Sequence, residues 1–182
     1  MRSPAVIGVL LVTLAPVPAA ASAHLPPSVT APAPAPAAAP AQAPGRVLAR
    51  ISIPRLNLKD RPIREGVSQR VLARGIGHYP GTAMPGRIGN AVLLGHRTTY
   101  LAPFHNIDWM RPGDRVIVRA GRTTHTFRVY SKQIISPRRT SVLAPVPFHR
   151  GKAPRHSALT LISCHPKGSD RKRLVVLARG EA

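Results

Sequence analysis

The chain has 182 residues, with 27 Lys or Arg against six Asp or Glu and a single cysteine. One cysteine excludes an internal disulfide framework, and one cysteine among scattered histidines gives no metal-ligand spacing. Residues 1–45 hold ten of the 21 prolines and one basic residue, Arg2. The remaining 137 residues carry 26 basic and all six acidic residues, a formal charge of about +20, and suffice for one domain with a hydrophobic core.

Arg2 and the apolar run at 5–15, followed by Ala21-Ser22-Ala23, have the form of an export signal. The run is about half the roughly 20 residues that span a bilayer, and Pro16 and Pro18 interrupt it. Residues 1–23 are therefore expected to be a signal peptide or a short N-terminal membrane anchor. Residues 24–45 are Pro/Ala low-complexity sequence, expected to be a disordered, extended linker.

From Arg46 the pattern becomes that of a folded domain, 46–182. Residues 47–53 partly alternate, as a half-buried strand does. Residues 68–73 and 103–110 predict a turn or two of helix each. Ala91-Val92-Leu93-Leu94, bounded by glycines, predicts an interior strand. Residues 115–119 and 124–129 read as two strands joined by a hairpin near Gly121-Arg122. Apolar runs at 159–164 and 174–178 complete the set. Short strands between Gly and Pro turns indicate an all-β sandwich or barrel.

Nucleic acid is not the expected partner. Aromatics make up 4% of the chain, too few for base-stacking platforms, and the basic residues occur in ones and twos with no zinc-finger or RNA-binding signature. An anionic cell envelope is the more natural neighbour of such a surface.

Cys164 ends the run 159–164. It is a buried spectator, half of an intermolecular bridge, or a nucleophile. The thiolate is the nucleophilic form and nearby cations favour it. If the two last strands pair, the intervening loop returns Arg173 to Cys164, with Arg171 and Lys172 as alternatives. A nucleophile also needs a proton partner. His96 ends the run 91–95 in the same way that Cys164 ends its own, which suggests a Cys–His site in a barrel mouth. His165 ranks second because it points the opposite way along an extended strand. His78, His105, His125, His149 and His156 lack comparable context, and most are expected to be solvated. Histidine precedes cysteine, unlike the order in papain-like enzymes. The residues flanking Cys164 do not fit the cysteine L,D-transpeptidases. No phosphate-binding loop or paired-carboxylate motif is present, and no cofactor is expected.

Leu159-Thr160-Leu161-Ile162-Ser163-Cys164, with Arg173-Leu174-Val175-Val176 downstream, resembles the signature of the sortases. Asn90-Ala91-Val92-Leu93-Leu94-Gly95-His96-Arg97 resembles their histidine strand. His78-Tyr79-Pro80-Gly81-Thr82-Ala83-Met84-Pro85-Gly86 resembles the stretch before it, and Pro112-Gly113-Asp114-Arg115-Val116 the approach to the next strand. Gly95-His96-Arg97-Thr98-Thr99-Tyr100 together with Cys164-His165-Pro166 is most similar to class E members from high-GC Gram-positive bacteria. The resemblance covers about residues 46–180. Ser163 stands where threonine is commoner, and the N-terminal apolar run is shorter than a usual sortase anchor.

The resemblance implies a closed barrel of about eight strands and a cysteine transpeptidase. Cys164 would attack the threonine carbonyl of an L-[AP]-x-T-G sorting signal on a surface protein. His96 would act as acid and base, and Arg173 would stabilise the oxyanion. The thioester would pass to an amine of a peptidoglycan precursor or a pilin-like protein, outside the cytoplasm at the membrane or wall of a Gram-positive cell. Thr98, Tyr100 and Ser163 are the expected substrate contacts. The alternative is a non-catalytic module whose basic surface binds the envelope.

Overall fold

In residues 47–53 every second side chain turns inward, and Ala49, Ile51 and Ile53 are buried in β1 (Val47–Ile53). The computed structural model describes residues 43–181. The expected export segment 1–23, and the linker through residue 42, lie outside the described residues. No helix among the described residues is long and apolar enough to cross a membrane.

The other strands are β2 (Leu58–Glu65), β3 (Ile76–His78), β4 (Gly89–Gly95), β5 (Arg115–Ala120), β6 (Thr123–Ile135), β7 (Ser157–His165) and β8 (Lys172–Gly180). They close into a barrel in the order β1-β2-β3-β4-β7-β8-β6-β5, and β5 pairs back onto β1. Of the sandwich and the barrel that the sequence pattern leaves open, the fold is the closed barrel that the resemblance implies. Pairing is antiparallel except for β2 with β3 and β4 with β7. The β5–β6 hairpin turns at Gly121-Arg122 as expected. Helix is scarce among the described residues. The helix α1 (Gln69–Leu72) is capped by Ser68, whose Oγ accepts from the Val71 amide, and 3₁₀ turns occur at Pro54–Leu56, Ile107–Trp109 and Thr140–Leu143.

Two strands go beyond the sequence reading. In β2, Lys59, Asp60 and Arg61 are exposed and Pro62 interrupts the pattern. Proline is tolerated because β3 pairs only with residues 63–65, so Pro62 sits where β2 is still an edge. β3 has three residues, too few to show a period. The strand expected at 124–129 continues to Ile135 as β6. A register shift between Val129 and Ser131 restarts the alternation, and residues 131–135 pair with β8.

The strands bury two separate apolar sets. Ile51, Ile63, Leu93, Phe127, Leu161, Val176 and their neighbours fill the barrel interior. Val92, Ile162, Val175 and Leu177 point out of the wall and pack with Ile135 and Val142, beneath the segment after β6. The second set exists because β4, β7 and β8 are covered on both faces, and such strands read as continuous apolar runs.

Among the histidines expected to be mostly solvated, His105, His149 and His156 are exposed, and His78 is the exception. It is 2% exposed, and its Nδ1 lies 2.9 Å from Glu65 Oε2, itself buried at the end of β2. His78 Nε2 lies 3.0 Å from the Ala83 carbonyl and 3.1 Å from Thr82 Oγ1. The Thr82 hydroxyl already donates to the Tyr79 carbonyl, so Nε2 acts as a donor toward Ala83. The pair ties β2 and β3 to the loop leading into β4. Glu65→Ala removes the partner of a buried imidazole and is expected to cost about 3 kcal/mol, measured as a fall in urea unfolding stability.

Candidate active site

A parallel strand pair presents residues in register at the same end. β4 and β7 are paired with Ala91 opposite Leu159 and Leu94 opposite Ile162. Two residues beyond that last pair stand His96 and Cys164. Sixty-seven residues of intervening chain, including the β5–β6 hairpin, separate two groups that the register brings level. On the other side β8 runs antiparallel to β7, and its register sets Arg173 opposite Cys164. The structure therefore gathers His96, Cys164 and Arg173 at one end of three neighbouring strands.

The side of the wall matters as much as the end. Alternation places His96 with Val92 and Leu94, Cys164 with Ile162, and Arg173 with Val175. These apolar residues belong to the outer set. The three candidates thus lie on the outer face of the wall, not in the barrel mouth as the sequence suggested. A cavity of ≈160 Å³ opens beside them, lined in part by Tyr79, Leu94, Ile162, Val142, Leu143 and Arg173. A larger cavity of ≈250 Å³, lined among others by Leu56, Arg61, Arg74 and Leu101, includes none of the three.

The roof of the smaller cavity is held by Asn90. Its side chain donates to the carbonyls of Val142 at 2.9 Å and Ala144 at 3.0 Å, and it accepts from Thr160 Oγ1 at 2.7 Å. A buried amide saturated in this way fixes the segment over the outer face. Neither its partners nor their distance in sequence can be read from the pattern around it.

His96 is half-buried and its Nε2 is enclosed without a hydrogen-bond partner. Burial disfavours the imidazolium and holds its pKa below the ordinary histidine value. The Tyr100 ring lies 5.0 Å from the His96 ring, tilted by 40°. Tyr100 is exposed, in the left-handed backbone region at φ 53°. Thr98 is exposed and makes no side-chain hydrogen bond among the described residues. Cys164 is a free thiol of intermediate exposure. Arg173 Nη1 donates to the carbonyls of Asp170 at 2.6 Å and Lys172 at 3.0 Å, which braces the guanidinium against its own loop. The other donors of its fork have no partner among the described residues.

Ser163 does not lie with the expected substrate contacts. It alternates inward, is 3% exposed, and donates from Oγ to the Gly95 carbonyl at 2.7 Å. Its hydroxyl is occupied in joining β7 to β4. His165 turns away from Cys164, as the alternation predicts, and meets Arg97. Gly95 is dictated by packing. A Cβ there would come within 2.8 Å of the Phe104 ring and 3.0 Å of Pro103, so glycine lets the returning loop close under His96.

Comparison with known proteins follows the same residues. The sortase domain family matches residues 51–181. The chain belongs to the sortase family. Sortase E1 of Streptomyces coelicolor is 37% identical over 140 residues, covering 72% of this chain and 40% of that protein. A crystal structure of the same enzyme superposes with a TM-score of 0.69, covering 78% of this chain and 91% of that one. A sortase from Actinomyces oris gives a TM-score of 0.72 at 30% identity, covering 80% and 87%. The chain is thus class E-like within the family, and it spans less than half the length of the curated S. coelicolor sortase E1.

Two consequences follow. The unfolded chain protonates His96 more readily than the folded chain does. The stability contributed by neutral His96 is therefore full above the ordinary imidazole pKa and is lost as pH falls from there toward the lowered folded value. His96→Gln should flatten the fall in urea midpoint between about pH 7.5 and about pH 5 relative to the parent. Asn90→Ala breaks three hydrogen bonds, two of them buried, and should cost roughly 2–4 kcal/mol. Amide exchange should rise first in residues 140–144, before the barrel strands lose protection.

Proposed function

We propose that this sortase is a cysteine transpeptidase acting outside the cytoplasm on proteins that carry an L-[AP]-x-T-G-type sorting signal. The observation that carries the reading is the register that sets Cys164 opposite Arg173 and level with His96, beside an apolar cavity. The S. coelicolor sortase E1 structure is described with a tripeptide in its active site, and a peptide is the substrate we assign here.

His96 takes the proton of the Cys164 thiol, and the resulting thiolate attacks the threonine carbonyl carbon. The carbonyl oxygen becomes an oxyanion and is met by the free donors of Arg173, which is already braced and needs little reorganisation. The C–N bond to glycine breaks, and His96 gives its proton to the departing amine. The thioester on Cys164 then accepts an amine from a wall precursor or a pilin-like partner. His96 takes the proton from that amine as the new amide forms, and the thiolate is regenerated. The apolar lining of Leu94, Ile162, Val142 and Leu143 suits the leucine of the signal. Tyr100, tilted against His96 at the rim, and Thr98 beside it on the same loop are the further contacts we assign to the peptide.

The test is incubation of the protein with labelled L-A-x-T-G or L-P-x-T-G peptide and an amine acceptor. The expected outcome is a thioester on Cys164 by mass spectrometry and an exchanged amide product. Cys164→Ala should keep the circular dichroism spectrum and lose turnover by at least about 10³-fold. If neither peptide acylates the folded protein, the transpeptidase reading fails. Salt-sensitive binding to cell wall that survives Cys164→Ala would then favour the envelope-binding alternative, which the excess of basic residues supports.

A further inference from the structure

The ladder between β4 and β7 ends at Leu94 and Ile162, two residues short of His96 and Cys164. What holds those two residues level must therefore be something other than backbone pairing. One tie is the Ser163 hydroxyl on the Gly95 carbonyl. The other is Arg97, the residue directly after His96, which is 3% exposed.

A guanidinium stays charged, so its burial demands partners on every side. Arg97 Nε donates to the His105 carbonyl at 3.1 Å. Nη1 donates to the Cys164 carbonyl at 3.2 Å and faces His165 Nδ1 at 3.4 Å. Nη2 lies 2.7 Å from Asp108 Oδ1, in an ion pair that is close but not aligned as a hydrogen bond. His105 Nδ1 returns a bond to the Arg97 carbonyl at 2.9 Å. These partners come from two stretches of chain, the loop after β4 and the end of β7. Apart from Cys164, whose thiol reacts, the chemistry derived above uses none of them.

We propose that Arg97 is a positioning residue that sets the distance and orientation between His96 and Cys164. The proposal rests on the reading of those two residues as the reacting pair. Arg97 works by geometry rather than by field, because the Asp108 carboxylate beside it leaves the pair without net charge. Only a planar fork reaches both a carbonyl on the loop after β4 and the carbonyl of Cys164 while holding Asp108. A lysine head offers one point of charge and cannot span them. His165, facing an obligate donor, accepts at Nδ1 and is turned away from the thiol. Loss of the fork leaves Ser163 as the remaining side-chain tie between the two strand ends, and misplacement on the scale of 1 Å costs about 10²-fold in rate.

The test compares Arg97→Lys and Arg97→Met with the parent protein and with His96→Gln. Four quantities are measured: thermal midpoint, kcat, KM, and the pH profile of Cys164 alkylation by iodoacetamide. Alkylation needs no peptide, yet it senses whether His96 is aligned with the thiol. Arg97→Lys should stay folded, lose roughly 10–100-fold in kcat with KM within about twofold, and move its alkylation profile onto that of His96→Gln. The double variant with His96→Gln should show no further shift. Parental kcat, or an alkylation profile that superimposes on the parent, overturns the proposal. So does a kcat loss that disappears once activity is scaled to the folded fraction. If the parent forms no acyl-enzyme, the transpeptidase reading fails, and the alkylation profiles still decide the role of Arg97.

Discussion

Everything functional in this molecule depends on one pairing, the parallel ladder of β4 against β7. An antiparallel partner would send the end of β4 to the beginning of β7 and separate His96 from Cys164 by the length of a strand. A parallel partner brings both ends to the same edge, at the cost of a long crossover. Here the crossover does further structural service. It contains β5 and β6, which close the barrel, and the segment after β6, which roofs the outer face. The polar tie of Asn90 to Val142 and Ala144 is where the crossover is fastened back to the strand it left.

The same ladder divides labour between its two faces. Inward residues such as Leu93, Leu159 and Leu161 share the barrel interior with six other strands and are fully buried. Outward residues run from the Asn90–Thr160 pair, through Val92 and Ile162, to His96 and Cys164 at the rim. Moving along this face, one passes from a saturated polar lock to an apolar floor and then to groups with unused hydrogen-bonding capacity. The His96 Nε2 and the free donors of Arg173 are open at the one place where a ligand can satisfy them. Asp60, Glu65, Asp108, Asp114 and Glu181 each face a basic partner, whereas Arg173 braces only on carbonyls.

Legibility in the sequence follows from how local each cause is. β4, β7 and β8 are buried on both faces, so their apolar runs stand out, and β1 shows its period of two. Cys164, His96 and Arg173 were legible for the same reason: each is the first ionisable residue at the edge of such a run. β2 was not, because charged residues occupy its exposed positions and Pro62 is permitted only by where β3 begins to pair. His78 and Glu65 are separated by a turn and a helix, and Asn90 reaches 52 residues to Val142. Their burial comes from tertiary pairing, which no local pattern carries. Ser163 sits in the most recognisable motif of the chain, yet strand parity turns it inward. Motif membership fixed its neighbourhood, and alternation determined its side.

The end of a ladder is a natural place for chemistry, and it is also where a sheet loses its grip. Backbone pairing up to Leu94 and Ile162 gives rigidity, but a residue within the ladder has its peptide groups occupied and its neighbours close on both sides. Two residues further on, side chains gain room for a substrate, the link between the two strands is lost, and Cys164 keeps only its pairing to β8. This protein replaces the missing rungs with side chains, Ser163 on the Gly95 carbonyl and Arg97 on that of Cys164. The first is a neutral bond inside the wall. The second brings a buried cation, which then requires Asp108 and the His105 carbonyl. The 3₁₀ turn at Ile107–Trp109 contains Asp108 and follows a loop whose return is allowed by Gly95. Support for the reacting pair thus extends from one glycine, through a folded-back loop, to an ion pair behind the thiol, and each step exists because the ladder stops where it does.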